Sequence, residues 1–169
     1  TREIYIDQDD FKQEYSKKCK KKFSPGKRIR LRNAYVIEAD EAIKDDEGNI
    51  VEIRAHTIPG TLGENPADGI KPKGVIHWVS VGQGRPAEVR LYERLFNHEA
   101  PDKGDNAFMD HINPESLSIV QQAWVEPALA DAAPEQQFQF AREGYFVADR
   151  SAHSRGNPVF NRTIGLRDT

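Results

Sequence analysis

IRLRNAYVIE, residues 29–38, is where the hydrophobic period of this chain settles at two. Ile29, Leu31, Asn33, Tyr35 and Ile37 alternate with Arg30, Arg32, Ala34, Val36 and Glu38, the pattern of a strand with one face on a core. The Asp45-Asp46-Glu47-Gly48-Asn49 run that follows consists of turn formers, and residues 50–55 return as a partner strand.

Upstream, residues 4–6 read as a short strand. Asp7 or Asp9 then caps a helix predicted over 10–22, with Phe11 and Tyr15 on one face, acids early and lysines late. Ser24-Pro25-Gly26 ends it. Downstream, 59–74 reads as a loop, and 73–81 with 87–96 as a hairpin about Gly82–Pro86. A polar loop over 97–114 leads to a strand at 115–126, and 127–136 is a connection with room for a short helix. Residues 138–141 and 145–149 form a hairpin about Arg142-Glu143-Gly144, and 159–166 is the last strand. About eight strands and one helix, with no βαβ rhythm, predict a mainly β fold: one antiparallel barrel, or two small ones.

The 169 residues are 37% hydrophobic and 30% charged, enough to build a core in a water-soluble chain. No stretch approaches the ~20 consecutive apolar residues of a membrane-spanning helix, and no secretory signal is read. The single cysteine, Cys19, excludes an internal disulfide framework and fits a reducing compartment. A cytoplasmic protein with no membrane partner is expected.

The net charge of -3 conceals an asymmetry. Residues 17–32 hold nine cations (Lys17, Lys18, Lys20, Lys21, Lys22, Lys27, Arg28, Arg30 and Arg32) and no acid, so the rest of the chain is strongly acidic. Such a chain repels polyanions generally and attracts them at one place, although a lysine run also serves as a solvated helix end.

Motifs for catalysis are missing from this sequence. His56, His77, His98, His111 and His153 are scattered, and Cys19 has no CxxC or HxxxH partner, so no zinc site is expected. Gly82-Gln83-Gly84 lacks the rest of a dinucleotide fingerprint, and Gly26-Lys27 lacks the rest of a P-loop. Ser116, Ser118 and Ser151 have no evident base. Arginine chemistry is the sharper signal. On a continuous strand Arg30 and Arg32 leave the same face roughly 6.8 Å apart, offering two planar forks for phosphates or base edges. The competing reading is a pair of cross-strand ion pairs with Glu52 or another acid. In the 138–146 hairpin, alternation buries Phe138 and Phe140, leaves Gln139 on the opposite face, and puts Arg142 in the turn. Glutamine and arginine suit base edges, and unpaired bases stack on aromatics. Trp78 and Trp124 are read as core residues.

Several stretches occur together in order: LRNAYVI (31–37), DDEGNIVEIR (45–54), NPADG (65–69), KGVIHWVS (73–80), RLYERLF (90–96), INPESL (112–117), FQFAREGYF (138–146) and PVFNRTIGLRD (158–168). With these motifs the whole chain resembles the C-terminal anticodon-binding region of the bacterial glutaminyl-tRNA synthetases. The resemblance implies two antiparallel β-barrels. Residues 1–22, a strand and helix, join the proximal barrel, 23–126 form the distal one, and 127–169 return to complete the proximal one. It also implies a full-length class I ligase that attaches glutamine to tRNA(Gln) using ATP with Mg. The catalytic domain would lie elsewhere in the same chain, since no HIGH-type or KMSKS-type signature occurs in these residues, and no cofactor is expected here. A monomer is expected. By motif, Arg30 and Arg32 receive the first anticodon base, Gln139 and Arg142 read the central uridine, and Lys21 and Lys22 meet the third base. Lys17, Lys18 and Lys20 approach phosphates. Cys19 stands where a glutamine is familiar, and Lys22 where an arginine is. A glutamyl-type anticodon-binding domain and a non-catalytic protein-interaction barrel with a basic patch are the alternatives.

Overall fold

The computed structural model describes residues 3–13, 22–103 and 107–166. The fold is mainly β, in two compact units, Thr1–Ser80 and Val81–Thr169.

In the first unit, β1 (Ile4–Tyr5) pairs antiparallel with β6 (Val79–Ser80). A four-stranded sheet contains β2 (Arg28–Leu31), β3 (Val36–Lys44), β4 (Ile50–Thr57) and β5 (Val75–Ile76), in the order β4-β3-β2-β5. Alternation along β2 is strict: Ile29 and Leu31 are buried, while Arg28 and Arg30 are half-buried on the other face. Phe11, Phe23, Ile37, Ala39 and Ile76 complete the core, with the Phe11 and Phe23 rings edge to face at 5.9 Å.

The strand predicted over 29–38 is in fact a hairpin. The chain leaves β2 at Leu31, reverses through Arg32–Tyr35 and returns as β3, with Arg30 opposite Val36. Leu31 N–H donates to Tyr35 O and Ala34 N–H to Leu31 O, both at 3.0 Å. Asn33 takes φ 56°, a left-handed conformation that asparagine tolerates better than most residues. Arg32 therefore does not share a sheet face with Arg30; Arg28 does.

The start of the predicted N-terminal helix is also corrected. Residues Gln8–Asp10 form a single 3-10 turn. Beyond it Phe11 bridges Phe23, and Lys12 N–H donates to Phe23 O at 2.9 Å, so the backbone is committed to extended pairing instead. The remainder of the predicted helix, 14–21, lies outside the described residues.

The second unit is one five-stranded sheet. It comprises β7 (Arg85–Tyr92), β8 (Leu117–Val125), β9 (Gln137–Phe140), β10 (Gly144–Ala148) and β11 (Val159–Gly165), ordered β8-β7-β11-β10-β9. The hairpin expected between 73–81 and 87–96 does not form, because β6 pairs with β1 while β7 pairs with β8 and β11. Neither larger sheet closes into a barrel, and each includes one parallel pairing (β2 with β5, β7 with β11), against the fully antiparallel barrels expected. The core is aromatic. Phe140 stacks on Phe146 at 4.3 Å and meets Phe160 edge on at 5.4 Å, and Phe138 meets Phe160 at 5.9 Å. The buried His153 ties the start of β11 to the connection between β8 and β9: Nδ1 accepts from Val159 N–H at 3.2 Å and Nε2 lies 3.0 Å from Ala132 O.

Asp149, just past β10, gathers donors from several elements. Its carboxylate accepts from the Ser151 and Ala152 amides at 2.9 and 2.7 Å, from Asn161 Nδ2 at 2.7 Å and from Arg90 Nη1 at 3.1 Å. The Ala152 amide, then the Asn161 side chain, hold its pKa down at about 2. A carboxylate whose folded pKa is depressed stabilises the fold fully above its unfolded pKa, and the contribution fades as pH falls toward 2. Asp149→Asn is expected to cost roughly 1–2 kcal/mol at pH 7. The gap to the parent should narrow below about pH 4 in urea melts; a constant gap down to pH 2 would contradict the assignment. A second prediction concerns Gly144, which faces Gly165 across β10 and β11. A Cβ there would lie 2.5 Å from Ile164 O, at φ +153°. Gly144→Ala is expected to lower stability by about 2 kcal/mol or more, and an unchanged denaturation midpoint would refute the close approach.

Candidate nucleic-acid interface

Lys21, Lys17, Lys18 and Lys20 lie outside the described residues. Lys22 is described, and its Nζ stands 3.7 Å from Oδ1 of Asp10, a carboxylate only 2% exposed. A carboxylate taken out of water needs polar or charged partners, and Lys22 is one of them.

Arg28 and Arg30 leave the same face of β2 and meet different partners. Arg28 Nε donates to Glu38, directly opposite on β3, at 2.7 Å, and Nη1 donates to both Asp68 oxygens at 2.9 and 2.6 Å. The Glu38 and Asp68 hydrogen bonds push the Arg28 pKa further up, and the Ile70 amide together with Arg28 holds that of Asp68 down. The cross-strand ion pair considered for Arg30 thus belongs to Arg28, and Glu52 pairs instead with Arg54. Among the described residues Arg30 donates only to backbone carbonyls. Nη1 reaches Ala34 O at 3.2 Å and Thr61 O at 2.8 Å, and Nη2 reaches Glu64 O at 2.5 Å. Thr61 is fully buried; its hydroxyl accepts from Val36 N–H at 2.9 Å and donates to Ile58 O at 2.6 Å. Together these bonds pin the loop after β4 to the β2–β3 hairpin. Between them opens a cleft of about 480 Å³, lined by Arg30, Asn33, Ala34, Leu62, Gly63 and Asn65.

Arg32, in the turn, is exposed, and its side chain has no partner among the described residues. Its backbone is held on both sides: its N–H donates to Ile76 O at 2.9 Å, and its carbonyl accepts from Trp78 Nε1 at 3.0 Å. Trp78 packs against the core while anchoring this turn.

In the second unit Gln139 sits on β9 directly across from Tyr145 on β10. Both are exposed, while Phe138 and Phe140 turn to the core. The hairpin therefore presents an amide beside an aromatic ring, with the exposed Arg142 at its tip. Arg142 has φ +73°, an uncommon conformation for a side-chain-bearing residue. Sequence reasoning missed Tyr145; its register opposite Gln139 was the available signal.

His98 and His111, distant in sequence, come together with ring centroids 5.0 Å apart. Among the described residues no group of three or more His, Cys, Asp or Glu side chains could hold a metal ion. A second open cleft of about 630 Å³ is lined by Glu93, Arg94, Phe96, Asn97, Asn113, Glu115 and Ser118. Its two glutamates disfavour a polyanion.

Two family models match, both described as the anticodon-binding domain of class I tRNA synthetases (E and Q), over residues 1–58 and 75–149. The chain is 53% identical over 171 residues to a glutamine–tRNA ligase of Stutzerimonas stutzeri, 52% over 171 residues to that of Pseudomonas syringae and 54% over 169 residues to that of Vibrio cholerae. Each match takes in 100% of this chain and 30% of the relative, so the chain spans about a third of the length of the curated relatives it matches. With matches along its whole length, the chain belongs to the anticodon-binding domain family of the class I glutamate and glutamine tRNA synthetases.

Proposed function

We propose that this chain is the anticodon-reading portion of a glutamine–tRNA ligase that binds tRNA(Gln) in the cytoplasm. The observation that carries the reading is the identity of more than half, along the full chain, to ligases named for glutamine. Glutamate ligases share the family description, but the relatives named above are glutamine ligases. ATP, its Mg and the attachment chemistry belong to the remaining length of such a ligase, joined to this portion in one monomeric chain.

An anticodon loop exposes unstacked bases whose edges duplex RNA conceals. On β9 and β10, the Gln139 amide offers a donor and an acceptor to a base edge, Tyr145 offers a stacking face, and Arg142 adds a planar cation. These residues are assigned to the central base. Arg30 and Arg32 flank the turn beside the cleft of the first unit and are assigned to the first base. Lys21 and Lys22 are assigned to the third base, and Lys17, Lys18 and Lys20 to phosphates. Lys22 acts from a position that already neutralises Asp10.

The positive φ of Arg142 generates a test. A side-chain-bearing residue in this region costs roughly 1–2 kcal/mol that glycine does not. Arg142→Gly is therefore expected to melt no lower than the parent while losing about 1–3 kcal/mol of discrimination between anticodon stem-loops differing at the central base. Retained discrimination would remove Arg142 from the site. Direct competition tests the function itself: a glutamine anticodon stem-loop should displace a scrambled loop of equal length and charge, and equal binding of the two would refute it.

A further inference from the structure

The cleft of the first unit divides its labour in a way that its arginine conceals. Three of the five N–H groups of Arg30 are already given to the carbonyls of Ala34, Thr61 and Glu64. Swinging that guanidinium to a ligand would strip a donor from three backbone acceptors at once. The hydrogen-bonding side chains left free in the cleft are Asn33 and Asn65, whose amides have no partner among the described residues. Asn65 stands in a prepared position. It precedes the buried Pro66, which restricts its backbone to extended conformations. Arg30 grips the preceding carbonyl, that of Glu64, and Thr61 locks the loop's start onto Val36 and Ile58. Beside it the exposed Leu62 gives the cleft an apolar surface suited to the face of a base, while Gly63 leaves the approach open, with no atom within 4 Å of where its Cβ would be. An amide has the donor–acceptor pair that matches a nucleobase edge, and the cleft volume falls within the ~300–1,000 Å³ of small-molecule sites.

We infer that the loop 58–65 is a base-reading wall: Asn65 is the specificity-determining group for one unstacked anticodon base, and Arg30 and Thr61 are positioning residues that act through the loop. This rests on the anticodon reading and revises it at one residue: Arg30, held by three carbonyls, serves the base through the loop, and Asn65 is the group that touches it.

The test is equilibrium binding of this chain to anticodon stem-loop RNAs varied at each anticodon position in turn, at fixed salt. The proteins are the parent, Asn65→Ala, Thr61→Val and Thr61→Ser. Asn65→Ala should cut the preference at one anticodon position by about fivefold or more and spare the other two. Thr61→Val should cut the preference at that same position, and Thr61→Ser, which keeps the hydroxyl, should retain it. The inference is overturned if Asn65→Ala leaves all three preferences intact, if the Asn65 and Thr61 variants affect different positions, or if Thr61→Val weakens every RNA equally. Asn65 is exposed, so its variant decides the matter even if Thr61→Val does not fold. A parent chain with no preference at any position refutes the anticodon reading itself, whereas preferences untouched by Asn65→Ala refute the present inference and leave that reading standing.

Discussion

Backbone carbonyls in a loop have no ladder to enter, and those near a protein interior must find donors or remain in contact with water. In the first unit this requirement is met by one guanidinium and one hydroxyl. Arg30 takes three carbonyls, and Thr61 closes the loop against Val36 and Ile58. The cleft follows from these bonds, since its walls are the two backbone segments they join. Arg28 extends the same logic along β2, where its bidentate grip on Asp68 fixes the loop's far end. Asp68 in turn accepts the Ile70 amide at 3.0 Å.

The second unit reaches a comparable result by packing. Phe138, Phe140, Phe146 and Phe160 form one aromatic cluster, and strand alternation then leaves Gln139 and Tyr145 side by side on the outer face. The tight approach of Gly144 to Ile164 sets the register of that hairpin against β11. Behind it, Asp149 ties the end of β10 to Arg90 on β7 and Asn161 on β11. An outer face made this way is rigid because its reverse side is packed.

Much of this was legible in the sequence where alternation and turn chemistry agreed. The β3–β4 hairpin about Asp45–Asn49 and the β9–β10 hairpin about Arg142 were readable because turn formers interrupt the period. The reversal at Arg32–Tyr35 was not, because four residues turn the chain while the two-residue rhythm continues through them. Parallel partners such as β2 with β5, or β7 with β11, meet across long stretches of chain and leave no local trace. The partners of Arg30 were invisible for a different reason: main-chain carbonyls have no residue type. Two consequences of the pattern did survive, the outward Gln139 and the inward phenylalanines, since both depend only on which face a strand residue takes.

The ion pair between Lys22 and Asp10 bears on how this protein would respond to ionic strength. Each cation that neutralises a nucleic-acid phosphate releases condensed counterions, and on a single strand the logarithm of affinity falls by about 0.7 per contact with each decade of salt. Residues 17–32 hold nine cations, yet Lys22 and Arg28 already have carboxylates of their own and Arg30 is held by carbonyls. The apparent valence of the segment toward RNA is thus smaller than its composition, and a salt titration would measure how many cations remain uncommitted after folding.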